Sequence, residues 1–160
     1  MKVYYWSPFI SHVATVTAVI NSIISLKKFS TVKADYRVIN VFKEWSPYDI
    51  ELKKNKIQCV DLGTFLNINF LPKFGFLKSR FTYILTYIFS IIKLHKFLKK
   101  EKPEFLIVHL ISSIPLSLLL FFKYETKFIL RISGYPKMTV FRKTLWKLCD
   151  SKLYKVFCPT

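Results

Sequence analysis

Residues 102–136 read KPEFLIVHLISSIPLSLLLFFKYETKFILRISGYP, and the way this stretch divides decides the fold. Residues 105–122 hold no Asp, Glu, Lys or Arg, so hydrophobicity alone describes a membrane span. Crossing a bilayer takes about 20 apolar residues. Here 18 are available, interrupted by His109, Ser112, Ser113, Pro115 and Ser117. Punctuation supports a different division. FLIVHL at 105–110 is a continuous apolar run of strand length, as a parallel strand buried on both faces requires. Residues 114–122 follow as a helix, with Pro115 tolerated in its first turn. KFILRI at 127–132 is a second strand that runs into Ser133-Gly134. Strand, helix, strand is the division adopted, and it puts His109 at a strand's carboxyl end.

The same alternation extends in both directions. KVYYW at 2–6 is a β-prone opening strand stopped by Ser7-Pro8. Residues 11–27 show helical spacing through Val13, Val16, Ile20 and Ile23. ADYRVINVF at 34–42 is a second strand, followed by a Trp45-Ser46-Pro47 loop, and KIQCVDL at 56–62 is a third. Residues 63–78 are irregular. A long helix over 79–100 carries an apolar stripe of Phe81, Ile84, Leu85, Ile88, Ile91 and Ile92, expected to face the core. Lysines fill its last turn, as the helix dipole favours, and Pro103 stops it. A helix at 139–149 and a strand at 153–158 complete the series. Strands alternating with helices predict an α/β domain with a doubly wound parallel sheet.

Composition excludes several function classes. The 160 residues fit one domain, and 3 glycines leave little for a Gly-rich phosphate loop. There is no Walker A, GxGxxG, HExxH or GxSxG sequence. Cys59, Cys149 and Cys158 share no metal-ligand or redox spacing, so reduced thiols and a cytoplasmic setting are expected, with no metal. The N-terminal apolar stretch, broken by Pro8, His12 and Asn21, reads as mature structure rather than a leader. Net charge is +17 and unevenly spread: +4 over residues 1–72 and +13 over 73–160. That asymmetry calls for an anionic partner. Lys outnumbers Arg 22 to 4, which suits diffuse attraction better than bidentate recognition.

In a doubly wound sheet, ligands gather beyond the carboxyl ends of the strands. Three loops qualify: Ser7 to His12 after the first strand, His109 with Ser112 and Ser113 after the fourth, and Arg131 with Ser133 and Gly134 after the fifth. Each residue has an ordinary alternative. Ser11, Ser112 or Ser113 could cap helices, Gly134 could supply a turn, and a lone His is more often a satisfied polar residue than a catalyst.

The ordered segments YYWSPFISHVATVTAVINS (4–22), FGFLKSRFTYI (74–84), KPEFLIVHLISSIPL (102–116), FILRISGYPKMTVFRKTLWK (128–147) and VFCPT (156–160) span almost the whole chain. Together they resemble the N-terminal half of a bacterial family-4 retaining glycosyltransferase of the two-domain GT-B fold. The resemblance implies sugar transfer from a nucleotide-sugar donor to a lipid-linked or cell-surface glycan acceptor, as in lipopolysaccharide or polysaccharide biosynthesis. It makes residues 1–160 the acceptor-binding domain and places the donor site in a C-terminal domain absent here, so that this chain alone is expected to be inactive. By the same resemblance His109 matches a strand-end histidine facing the reacting sugar. Ser11, His12, Arg80, Ser112, Arg131, Ser133 and Gly134 line the acceptor cleft. Ser11 and His12 stand where many relatives carry Gly-Gly, which puts a phosphate role for that loop in doubt.

The basic second half fits a peripheral position on the inner face of the cytoplasmic membrane. Lys73, Lys78, Lys93, Lys96, Lys99 and Lys100 would meet anionic lipid, each contributing about 1 kcal/mol. The rival reading from another class is a non-catalytic basic module that binds an anionic membrane or nucleic acid. No recognised RNA- or DNA-binding motif is present, so nucleic acid is not the expected partner.

Overall fold

The computed structural model describes residues 1–8, 15–63, 76–132 and 138–158, with the side chains of 76–79 outside the description. Six strands form one sheet: β1 (Lys2–Trp6), β2 (Asp35–Asn40), β3 (Gln58–Asp61), β4 (Phe105–His109), β5 (Lys127–Arg131) and β6 (Lys155–Phe157). Between them run α1 (Thr17–Phe29), α2 (Asp49–Lys54), α3 (Phe76–Glu101), α4 (Ser113–Phe121) and α5 (Val140–Cys149). Every strand pairing is parallel, and the spatial order is β3-β2-β1-β4-β5-β6. Chain order reverses between β1 and β4, the position at which doubly wound sheets open a crevice for ligands.

Side-chain alternation divides the core in two. Tyr4, Trp6, Leu106, Val108, Phe128 and Leu130 point to the side covered by α3, α4 and α5. Val3, Tyr5, Tyr36 and Val38 point to the side covered by α1 and α2. Right-handed crossovers require this arrangement, since the helices before and after the reversal must fall on opposite faces. The uncharged stretch divides as its punctuation predicts. β4 pairs with β1 through Val3↔Phe105 to Trp6↔Val108 and with β5 through Phe105↔Lys127 to His109↔Arg131. In α4 every residue from Ser113 to Leu119 is buried, the position expected of a helix that is apolar all round.

Three expectations change. The loop expected after β2 contains a 3-10 turn (Ser46–Tyr48) and the short helix α2. The pattern DIELKK carried the signal, with acids in the first turn and lysines in the last complementing the dipole. The closing strand shrinks to three residues at the sheet edge. The largest correction concerns α3, where four of the six stripe residues face outward while Ile91 packs against the core and Leu85 is half-buried. Phe81, Ile84, Ile88 and Ile92 are 60, 54, 47 and 47% exposed, while Thr82, Thr86 and Ser90 are at most 4% exposed. The inner face works through small side chains and hydroxyl pairs: Tyr83 bonds Ser113, and the Tyr87 hydroxyl lies 2.5 Å from Ser117 Oγ. Further along, Leu94, Phe97 and Leu98 bury against the sheet. Sequence periodicity correctly located the helix but assigned the wrong face to the core, because a tyrosine–serine seam looks polar until its partners are known.

Candidate functional site

β4 ends at His109, and the chain then turns sharply. Leu110 adopts φ +66°, the Ile111 N–H donates back to the His109 carbonyl at 2.9 Å, and the Leu110 N–H donates to the Arg131 carbonyl at 3.0 Å. A left-handed non-glycine residue stores backbone strain of about 1–2 kcal/mol. Such strain clusters where geometry serves a ligand. The turn delivers the chain into α4, whose N-cap is Ser112. Ser112 is buried but makes no side-chain capping bond, and Ser113 is committed to Tyr83.

The His109 side chain lies on the α1 side of the sheet, only 3% exposed, with its ring centroid 5.8 Å from that of Tyr5. Its Nε2 has no hydrogen-bond partner among the described residues. Burial, reinforced by the charge of Arg131, lowers its pKa from 6.5 to about 4. The ring is therefore neutral at physiological pH. A neutral imidazole can offer one donor and one acceptor to a ligand hydroxyl. With so low a pKa it is a weak proton acceptor, so positioning and hydrogen bonding suit it better than general-base work.

Arg131 sits opposite His109 in the β4–β5 register. Both line a cavity of about 560 Å³ over the α1 side of β4, β5 and β6. Ile107, Ile129 and Phe157 form its apolar floor. Tyr5 and Ser22, joined by a 2.9 Å hydroxyl pair, close one end, and Cys158 stands at another point of the rim. Burial holds the Tyr5 phenol above its ordinary range, so it remains a neutral donor. An apolar trough with a cation and a neutral imidazole at its mouth suits a ligand with an apolar body and a hydroxyl or anionic end.

Of the residues picked out from sequence, His109 and Arg131 come together on this cavity, with Ser112 just beyond the turn. Ser11, His12, Ser133, Gly134 and Lys73 lie outside the described residues, and so does the Lys78 side chain. Arg80 is exposed on α3 and does not line the cavity. Among the lysines, Lys96, Lys99 and Lys100 are exposed, whereas Lys93 is tied to the Gly63 carbonyl at 2.9 Å. Among the described residues no three His, Cys, Asp or Glu gather into a metal-binding group.

Sequence reasoning missed Glu44. It is 2% exposed beyond the end of β2, and its carboxylate accepts the Val41 and Phe42 N–H groups at 2.5–3.0 Å. Burial raises its pKa from 4.5 to about 7, against the opposing effect of those amide bonds. No local motif announces a carboxylate that folds back onto its own turn. Tyr5 and Ser22 were also missed as cavity residues, although Tyr5 shares the strand face of His109 by simple alternation.

By sequence, no protein-family model matches the chain, nor does any curated protein. Solved structures do resemble it. UDP-GlcNAc 2-epimerase from Neisseria meningitidis, bound to UDP-GlcNAc, matches with TM-score 0.57 at 17% identity over all of this chain and 41% of its own. The spinosyn rhamnosyltransferase SpnG, complexed with thymidine diphosphate, matches with TM-score 0.59 at 12% identity over 99% of this chain and 45% of its own. The glycosyltransferase SnogD from Streptomyces nogalater matches with TM-score 0.55 at 10% identity over 99% and 45%. At such identities the likeness is one of fold. The chain spans less than half the length of each of these proteins.

Proposed function

We propose that this domain is the acceptor-binding half of a GT-B-type glycosyltransferase, moving a sugar from a nucleotide-sugar donor to a glycan acceptor carried on a lipid diphosphate. The observation that carries the reading is the pairing of His109 and Arg131 in register at the reversal side of the sheet, above an apolar trough. Support also comes from the fold neighbours, two of them glycosyltransferases and one an epimerase bound to UDP-GlcNAc. In this reading Arg131 attracts the acceptor's diphosphate, and the apolar floor takes the beginning of its lipid chain. Neutral His109 hydrogen-bonds the reacting sugar. Ser11, His12, Ser112, Ser133 and Gly134 complete the acceptor wall. The donor nucleotide is held by a second α/β unit, as the span of the neighbours suggests. Retention of anomeric configuration and a role in building lipopolysaccharide or polysaccharide belong to the same proposal, and no metal takes part.

Two experiments test it. Saturation-transfer NMR on the chain itself should show binding of a short polyprenyl diphosphate glycan and much weaker contact with UDP or thymidine diphosphate. The reverse preference would place the donor here and overturn the assignment. In the enzyme assembled with its donor unit, His109→Ala should lower kcat on the order of a hundredfold or more, a scale typical of losing one positioned transition-state group. Unaltered turnover removes His109 from the reaction.

A further inference from the structure

The outward stripe of α3 is unusual for a sheet-covering helix. Its 26 residues extend about 39 Å at 1.5 Å per residue, far longer than the five-residue strands beneath. Over residues 80–100 there is no Asp or Glu. Phe81, Ile84, Ile88 and Ile92 follow one another at three- and four-residue spacing, and all four are about half exposed. Lys96 and Lys99 continue the same ridge, and Lys100 flanks it. The helix is long and apolar enough to cross a bilayer by length and composition. It cannot do so while Leu94, Phe97 and Leu98 are buried on the sheet and Tyr83 and Tyr87 are bonded to α4. The helix therefore holds one face against protein and leaves the other, with Phe81, Ile84, Ile88 and Ile92, exposed.

We infer that the outer ridge of α3 is an insertion face for an anionic bilayer, with Phe81, Ile84, Ile88 and Ile92 entering the headgroup–acyl boundary and Lys96, Lys99 and Lys100 meeting lipid phosphates. The choice of partner follows from charge: apolar side chains in line with lysines, on a chain of net charge +17, complement an anionic lipid surface. α3 and α4 are parallel, because Tyr83 pairs with Ser113 and Tyr87 with Ser117. The apolar end of the ridge is thus the end nearest the turn after His109, and the lysine end is the far one. The cavity itself lies on the α1 side of the sheet, opposite α3, so the insertion face and the cavity are separated by the sheet. The inference rests on the lipid-linked acceptor reading only for the purpose of docking. Vesicle binding needs neither donor nor turnover, so the two can fail separately.

The experiment is flotation of the chain with vesicles of phosphatidylcholine alone and of phosphatidylcholine with 30 mol% phosphatidylglycerol (a composition of about one anionic lipid in three). Binding is expected to the anionic vesicles and to weaken in high salt. Ile84→Ser with Ile88→Ser should reduce affinity roughly thirtyfold, from half-exposed side chains losing their apolar contact. Lys96→Ala, Lys99→Ala and Lys100→Ala together should reduce it by roughly two orders of magnitude on anionic vesicles. All five positions are exposed or nearly half exposed, so thermal unfolding should be little changed and folding provides its own control. Phe81→Trp should show a blue-shifted emission, quenched by brominated lipid acyl chains. Wild-type affinity in the serine variant, or unshifted Phe81→Trp emission, overturns the inference. So does a lipid-free dimer that the serine variant abolishes, which would assign the ridge to a second copy.

Discussion

His109 and Glu44 set up a cancellation that acid titration can expose. His109 has a folded pKa of about 4 against 6.5 when unfolded. Below pH 6.5 the unfolded chain therefore binds a proton that the folded chain refuses, and stability falls as pH drops from 6.5 towards 4. Glu44 has a folded pKa of about 7 against 4.5 when unfolded. Between those values the folded chain holds the extra proton, so stability rises as pH drops from 7 towards 4.5. Worked from these values, going from pH 7 to pH 5 removes about 2 kcal/mol through His109 and returns about 2 kcal/mol through Glu44. Urea unfolding at pH 7 and pH 5 should show the wild type nearly level in this pair's contribution. His109→Gln should gain about 2 kcal/mol relative to wild type on acidification, and Glu44→Gln should lose about as much. Comparing slopes between variants removes titrations common to all three, such as that of Glu104, which the Lys2 backbone N–H holds below its ordinary value. Direct NMR titration of the three histidine Cε1 protons provides a second measurement independent of folding. A His109 midpoint at 6 or above, or parallel slopes in all three proteins, would refute the burial argument.

The remaining expectations concern single contacts. Glu44→Ala leaves the Val41 and Phe42 N–H groups buried without their acceptor, so chemical denaturation should show a loss of about 2–4 kcal/mol. Leu110→Gly releases the left-handed residue after His109 and should raise stability by about 0.5–1 kcal/mol, whereas Leu110→Val should lower it. Tyr87→Phe strands the fully buried Ser117 hydroxyl and should cost about 1–2 kcal/mol, with Ser117→Ala restoring part of the loss in a double-mutant cycle.

The topology was readable because the strand signals are local. FLIVH and KFILR are short apolar runs bounded by Pro103, Ser112 and Thr126, and no helix face accounts for them. His109 could be placed at a strand end by the same punctuation. What the sequence hid depends on contacts across long separations. The face that α3 turns inward is set by hydroxyl partners 30 residues away in α4. The burial of Glu44 follows from a turn whose left-handed residue is Lys43, at φ +59°, and not from any glycine that would mark it. The cavity arises because α1 and α2 leave the β4–β6 floor partly open, a matter of helix placement that no linear pattern records.

The tyrosine–serine seam has a consequence for alignment. Along its inner face α3 repeats every four residues, Thr82, Thr86, Ser90, Leu94 and Leu98, and α4 answers with Ser113 and Ser117 at the same interval. A screw displacement of α3 by one turn, about 5.4 Å, would bring Tyr87 opposite Ser113 and keep one hydroxyl pair of the two. The repeat works like a vernier whose marks coincide again after each turn. Only an unrepeated mark can tell one setting from the next. His95 is one such mark, beside the Lys93 bond to Gly63: its Nδ1 lies 2.8 Å from the Tyr124 hydroxyl, and its ring stacks on Phe122 at 3.8 Å. One histidine far from the sheet's carboxyl edge thus indexes how far α3 reaches beyond that edge.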